Sequence, residues 1–247
     1  MKIASRSVTP SEQWLYSLGG GELIVSSMAE KRPVITVKGM EAARSAAVHP
    51  LRKFAVIAFQ DRLGIVDLEK RELIKQLWIN RKTGTFDPFA TISFETKEQP
   101  FDVRFHPNGE QLFVASKGMR VFDWGALLCA MGDAPSPDFS VDAPRDDESD
   151  LNSRPLAYCL RFDEERNLLL SSCLAGVVQY LDFANGKSAV LLKPPGEMAI
   201  WRLELTSDKQ ALCCHCLTRP SAEDRNKRFN CVQVWNYPAL CKAAGIA

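Results

Sequence analysis

The chain has 247 residues and a formal net charge of +1. That length builds a core without staples, and the near-neutral charge argues against a dedicated nucleic-acid binder, which shows a basic surplus. No apolar run approaches the roughly 18 residues that span a bilayer, the opening MKIASRSVTPSEQW has no apolar signal region, and eight cysteines in such a chain read as reduced thiols in a cytoplasmic setting.

In chain order, Ile3–Val8, Trp14–Leu18, Glu22–Ser27 and Pro33–Lys38 are short segments punctuated by turn residues, and they read as four strands. Gly19-Gly20-Gly21 is a permissive turn. A phosphate-binding loop would continue into Lys-Ser/Thr and a helix, whereas here a strand comes next. From Ala43 the pattern recurs in Arg44–Val48, Phe54–Phe59 and Leu63–Leu68. Its fourth place falls to either Glu72–Trp78 or Phe89–Phe94, with Ile79–Pro88 (INRKTGTFDP) between them as a polar excursion rich in turn chemistry.

The clearest copy is Pro100–Trp124. Phe101, Val103 and Phe105 alternate with Asp102 and Arg104, the period of a strand with unlike faces. His106-Pro107-Asn108-Gly109 reverses the chain, because Pro presets φ and Asn-Gly tolerates positive φ. Leu112–Ala115 is a short apolar run, Lys117-Gly118 turns, and Met119–Trp124 is the third strand. Asp138–Asp142 fits an outer fourth strand, and Gly125–Met131 reads as one helical turn. The acidic, Pro-flanked link Ala143–Pro155 comes next. The fourth copy is Leu156–Phe162, Leu168–Cys173, Val177–Phe183 and Ser188–Lys193, with Asn185-Gly186 as a hairpin signal between the last two. The final copy is Ala199–Leu205, Ala211–Cys216 and Cys231–Trp235, its middle turn expanded to Leu217–Asn230. Tyr237–Ala247 has no alternation and reads as a short helix, so no outer strand is visible there.

The turns after each first strand begin at Thr9, His49, His106, Asp163 and Thr206, about 40, 57, 57 and 43 residues apart, against roughly 40–45 for propeller repeats of the Trp-Asp type. The long intervals fit one repeat plus a loop insertion. Three antiparallel strands with an outer fourth make the blade of a β-propeller. The predicted fold is therefore all-β: one β-propeller domain, 1–247, of about five four-stranded blades (near 1–40, 41–97, 98–145, 155–196 and 197–241), the last lacking an obvious outer strand.

On these residues the chain resembles the WD-repeat family of β-propellers. The resemblance rests on the turns His106-Pro107-Asn108-Gly109 and Ser207-Asp208-Lys209. It rests equally on the third-strand ends Ile65-Val66-Asp67, Val121-Phe122-Asp123, Tyr180-Leu181-Asp182 and Val234-Trp235-Asn236. It covers nearly the whole chain. Only Trp235-Asn236 approaches the family's Trp-Asp ending, and the Gly-His pair before the first strand is absent, so that family's blade-tying hydrogen bonds do not carry over. The resemblance implies a non-enzymatic scaffold that binds a protein or peptide partner through one face and its protruding loops, without cofactor.

Several groupings invite chemistry. Cys213-Cys214-His215-Cys216 lies on one strand, which sends Cys213 and His215 to one face and Cys214 and Cys216 to the other. Four ligands cannot converge from it, and buried cysteines behave there as small apolar residues. His49 and His106 precede Pro at matching positions, which points to a shared structural job. Asp102, Arg104, Arg161, Arg202 and Glu204 fall on first strands, which line a propeller channel; they read as a buried ion-pair network or as a site for an anion or acidic peptide. The loop residues Arg219, Arg225, Lys227 and Arg228, with Asp146, Asp147 and Glu148, are the candidate partner-binding set. The competing functions are a propeller hydrolase or lactonase with a metal in the channel, and an incomplete segment of a larger propeller. A second copy of the chain is a further partner that the open strand edge admits; nucleic acid and membrane are not expected.

Overall fold

The computed structural model describes residues 3–8, 14–27, 29–85, 93–143, 156–195, 198–218 and 230–246. The chain is all-β, built of several small sheets whose strands run antiparallel to their chain neighbours. It divides into two compact units, Met1–Val114 with Val121–Asp138, and Ala115–Arg120 with Phe139–Ala247.

The first sheet runs in chain order through β1 (Ile3–Val8), β2 (Trp14–Gly19), β3 (Glu22–Ser27) and β4 (Arg32–Lys38). The second begins the same way, with β5 (Ser45–Val48), β6 (Phe54–Ala58), β7 (Leu63–Asp67) and β8 (Glu72–Thr85). β8 is longer than the sequence pattern suggests. Its first half pairs with β7 up to Leu63↔Leu77, so Glu72–Trp78 takes the fourth place. Its second half continues as strand through Thr85 and pairs with β9 (Ser93–Glu98), from Ile79↔Glu98 to Thr85↔Ser93. The expected polar excursion from Ile79 is thus strand as far as Thr85, because a second strand supplies hydrogen-bond partners that alternation cannot reveal. Residues 86–92 lie outside the described part.

The third sheet has the order β10 (Asp102–Phe105), β11 (Gln111–Ala115), β12 (Gly118–Asp123) and β14 (Phe139–Asp142), its residues falling in both units. Between β12 and β14 lie α1 (Trp124–Cys129) and β13 (Gly132–Asp133), which pairs in parallel with Leu77 and Trp78 of β8. The fourth sheet runs through β15 (Ala157–Asp163), β16 (Leu168–Cys173), β17 (Val178–Asp182) and β18 (Ser188–Leu192). The fifth stops at three strands, β19 (Met198–Leu205), β20 (Ala211–Thr218) and β21 (Asn230–Asn236), and is followed by α2 (Tyr237–Ala243).

In the first unit one core joins Leu23, Val25 and Val37 to Ile57 and Val66. A second joins Ile65 and Leu77 to Val103, Val114, Phe122 and Trp124. In the second unit Leu170, Tyr180, Leu203, Cys214, Tyr237 and Cys241 form one core, to which α2 contributes the last two.

The third-strand ends repeat a local device. The Asp67 carboxylate accepts from the N–H groups of Glu69 and Lys70 at 3.0 and 2.9 Å. Asp182 accepts from Ala184 N–H at 2.8 Å. Asp123 and Asn236 accept instead from Ala126 and Ala239 N–H, at 2.6 and 2.9 Å, and so cap α1 and α2. The residue after each cap, Leu68, Trp124, Phe183 or Tyr237, donates its N–H back across the sheet to Lys53, Glu110, Asn167 or Gln210.

Candidate functional site

A cavity of about 530 Å³ opens in the first unit between the turn after β5, the turn after β10 and α1. Each wall is set by local sequence. His49-Pro50-Leu51-Arg52 is a tight turn closed by Arg52 N–H to His49 C=O at 2.7 Å. His49 Nδ1 accepts from Leu51 N–H at 3.1 Å, which leaves the ring proton on Nε2 to donate to Gly109 C=O at 2.9 Å. Gly109 has φ +80°, and a Cβ there would lie 2.8 Å from His49 Nε2, so this contact requires glycine. Trp124, the first residue of α1, stacks on the His49 ring at 5.5 Å and meets Phe105 edge-on at 5.0 Å and Phe54 at 5.9 Å. Lys75 Nζ donates to Leu128 C=O and holds the far end of α1 to β8.

The result is an apolar floor of Trp124, Phe54 and Leu128 under a rim of Leu51, Lys53, Glu110 and Asp123. Leu51 is 74% exposed. Burial pushes the His49 pKa down, against the raising effect of its bond to Gly109, so the imidazole is neutral at physiological pH. Both its nitrogens are engaged, and Asp123 is occupied in capping α1. The cavity therefore has the chemistry of a binding pocket: apolar contact below, charges of both signs above, and a histidine whose ring atoms are committed to the fold.

The residues anticipated from sequence fall elsewhere. Asp102 is buried; it accepts from Ser45 Oγ and from Val103 N–H at 3.0 Å, and faces Arg104 at 3.5 Å. In the second unit Glu204 accepts from Arg161 Nε at 3.1 Å, with a second, shorter contact to the same guanidinium, and lies 3.7 Å from Arg202. Glu204 and Arg202 are 56% and 54% exposed, so this cluster is not the buried network expected of it, and solvent screens it. Arg219, Arg225, Lys227, Arg228, Asp146, Asp147 and Glu148 lie outside the described residues, as does the turn at Thr9–Glu12.

His106 does what His49 does: its Nδ1 accepts from the N–H two residues on, Asn108, at 3.2 Å. Cys214 and Cys216 face the core, and burial pushes their thiols up to about 12 and about 11, while His215 is exposed on the other face. Among the described residues no group of His, Cys, Asp or Glu is arranged to hold a metal ion, and no helix is long and apolar enough to cross a membrane.

The cavity itself is absent from the sequence reading. Its walls come from residues far apart in the chain, and the signal pointing to it was the matched position of His49 and His106 together with Trp124 directly after a third-strand Asp.

No protein family matches the chain by sequence, and no curated protein matches it. Among solved structures 1251 chains match. One is hydrazine synthase from Kuenenia stuttgartiensis, with a TM-score of 0.62 and 14% identity over 96% of this chain. The chain spans 63% of the length of that one. A likeness at this identity, to a fold shared so widely, speaks of architecture alone.

Proposed function

We propose that the chain is a non-enzymatic interaction module, a divergent β-propeller of WD-repeat type that holds a protein or peptide partner on one face and its protruding loops. The repeated sheets, with their matched turns and Asx caps, support the propeller reading. The observation that carries the binding reading is the cavity beside Trp124. Its apolar floor fits one aliphatic or aromatic side chain, and Lys53 opposite Glu110 and Asp123 suits flanking residues of mixed charge. The loop residues Arg219, Arg225, Lys227, Arg228, Asp146, Asp147 and Glu148 are a second proposed partner-binding set, tested apart from the cavity. The hydrolase reading has less support, since Asp102 and Glu204 are each held by arginine.

The test is selection of random peptides displayed on phage against the purified chain, followed by affinity measurement on single-site variants. Lys53→Glu and Leu51→Asp alter only the rim. Selected peptides are expected to lose about tenfold or more in affinity on each. If peptides bind both variants as well as the parent, the cavity is not the site. Equal affinity after Leu217–Asn230 is replaced by a short Gly-Ser turn removes the basic loop from the surface.

A further inference from the structure

β21 reads Asn230-Cys231-Val232-Gln233-Val234-Trp235-Asn236, and among the described residues it pairs with β20 alone. Its backbone direction is fixed by two hydrogen bonds. Thr206 N–H donates to Ala211 C=O, which turns the Ala211 backbone towards β19, while Tyr237 N–H donates to Gln210 C=O from the β21 side. Alternation then gives Cys231, Gln233 and Trp235 to β20 and leaves the N–H and C=O of Val232 and Val234 on the open edge. The same two valines are 64% and 65% exposed. On the other face Gln233 Oε1 and Trp235 Nε1 are buried without a hydrogen-bond partner among the described residues.

Two other outer strands are protected: β4 carries Arg32, Pro33 and Lys38, and β18 is flanked by Lys187 and Lys193. Charges and proline are the means by which edges are kept from pairing with another chain. β21 has neither, and its pairing with β20 shows no bulge. Its sequence is also close to symmetric about Gln233, with Val232 matched by Val234 and Asn230 by Asn236.

We propose that β21 pairs antiparallel with β21 of a second copy of this chain, about a two-fold axis at Gln233. In that register Val232 of each copy lies opposite Val234 of the other. Both pairs are of the hydrogen-bonded kind, since these are the residues whose backbone groups face the edge. The valines of both copies then cover one another on the outer face. Gln233 lies opposite Gln233 as the non-hydrogen-bonded pair between them. No like charges are opposed, and the interface is self-complementary and closed, so assembly stops at the dimer.

The experiment is light scattering after size exclusion on the full chain over about a hundredfold range of concentration. The expected mass is twice the 27.6 kDa of one chain, dissociating on dilution. Val234→Pro removes an N–H that β20 does not use, and the double variant Val232→Lys, Val234→Lys sets ammonium groups of the two copies face to face. Each is expected to run at the mass of one chain, its dissociation constant raised by about a hundredfold or more, with far-UV circular dichroism unchanged. If the proline variant loses that spectrum, the double lysine variant decides. A parent chain that stays monomeric or forms any larger species, or a dimer that survives the lysine pair, overturns the proposal.

Discussion

β17 and β21 are the third strands of successive sheets, and their environments are opposite. Val178, Gln179, Tyr180 and Leu181 are all buried, whereas β21 alternates exposed and half-buried residues along its length. The difference lies in the residues just beyond each strand. Asp182 caps a turn, Gly186 takes φ +69°, and the chain returns as β18 to pair with β17. Asn236 makes the same kind of cap, but Pro238 sits in the next turn and the chain winds into α2. The same contrast separates Asp67, which precedes β8, from Asp123, which precedes α1. The repeat therefore specifies the strand end and its cap, and the two or three residues beyond it decide whether the chain turns straight into a covering strand or winds into a helix; after α1 the covering strand β14 still forms, whereas after α2 none follows among the described residues.

The largest expected effect probes the covered strand. Tyr180→Ala, at a site 1% exposed, removes a side chain from the core of the second unit and is expected to cost about 3–5 kcal/mol by chemical denaturation. A cost near that of a surface change would mean β17 is not the covered member of the pair.

The next effect concerns the helix that follows β21. Tyr237 Oη donates to the fully buried Asp163 at 3.0 Å, and Arg166 reaches the same carboxylate at 3.2 Å. Burial, then the Asp163 charge, pushes the Tyr237 hydroxyl well above its ordinary value. Tyr237→Phe leaves the carboxylate one donor short and is expected to cost about 1–3 kcal/mol. If the melting temperature does not move, α2 is held by apolar packing alone.

Alkaline titration tests the same core. Burial, followed by the neighbouring thiols, raises Cys214 to about 12 from its ordinary 9.0, and burial raises Cys216 to about 11. The folded chain thus keeps protons that the unfolded chain releases. This stabilisation is complete below about pH 9 and is lost as pH rises towards 11–12, at about 1.4 kcal/mol per pH unit for each thiol. Cys214→Ala with Cys216→Ala should flatten the fall in stability between pH 9 and 11. An unchanged slope would place the thiols in contact with solvent.

A smaller effect compares the caps directly. Asp182→Ala and Asp123→Ala each remove a carboxylate that accepts a backbone N–H, in a hairpin and at a helix start respectively. Both are expected to cost about 1 kcal/mol. Costs differing by more than about that amount would show that the device is not energetically equivalent in the two settings.

Much of this was legible in the sequence. Alternation in Phe101–Phe105, the His-Pro and Asn-Gly turns and the recurring third-strand Asp or Asn locate most of the strands, and the short helix after Tyr237 is signalled by lost alternation. The second half of β8 was not legible, because Arg81, Lys82, Thr83 and Gly84 have the composition of a loop and become strand only through pairing with β9. The exposure of Glu204 was not legible either, since strand position does not say how far a side chain reaches solvent. The cavity beside Trp124 needed the juxtaposition of Leu51 with Glu110, which no local pattern contains.

The smallest expected effect is the sharpest test of the contrast between the two strands. Val234→Ala removes a side chain that is 65% exposed, so in a dilute, monomeric sample it should change unfolding free energy by less than about 0.5 kcal/mol. Val178→Ala, at a fully buried position of β17, should cost several times more. If two copies pair through β21, the Val234→Ala penalty grows as concentration rises, because stability is then linked to association by mass action. A penalty above about 1 kcal/mol that ignores concentration would mean that Val234 is covered within its own chain. β21 would then be a buried third strand like β17, and the open edge would not exist.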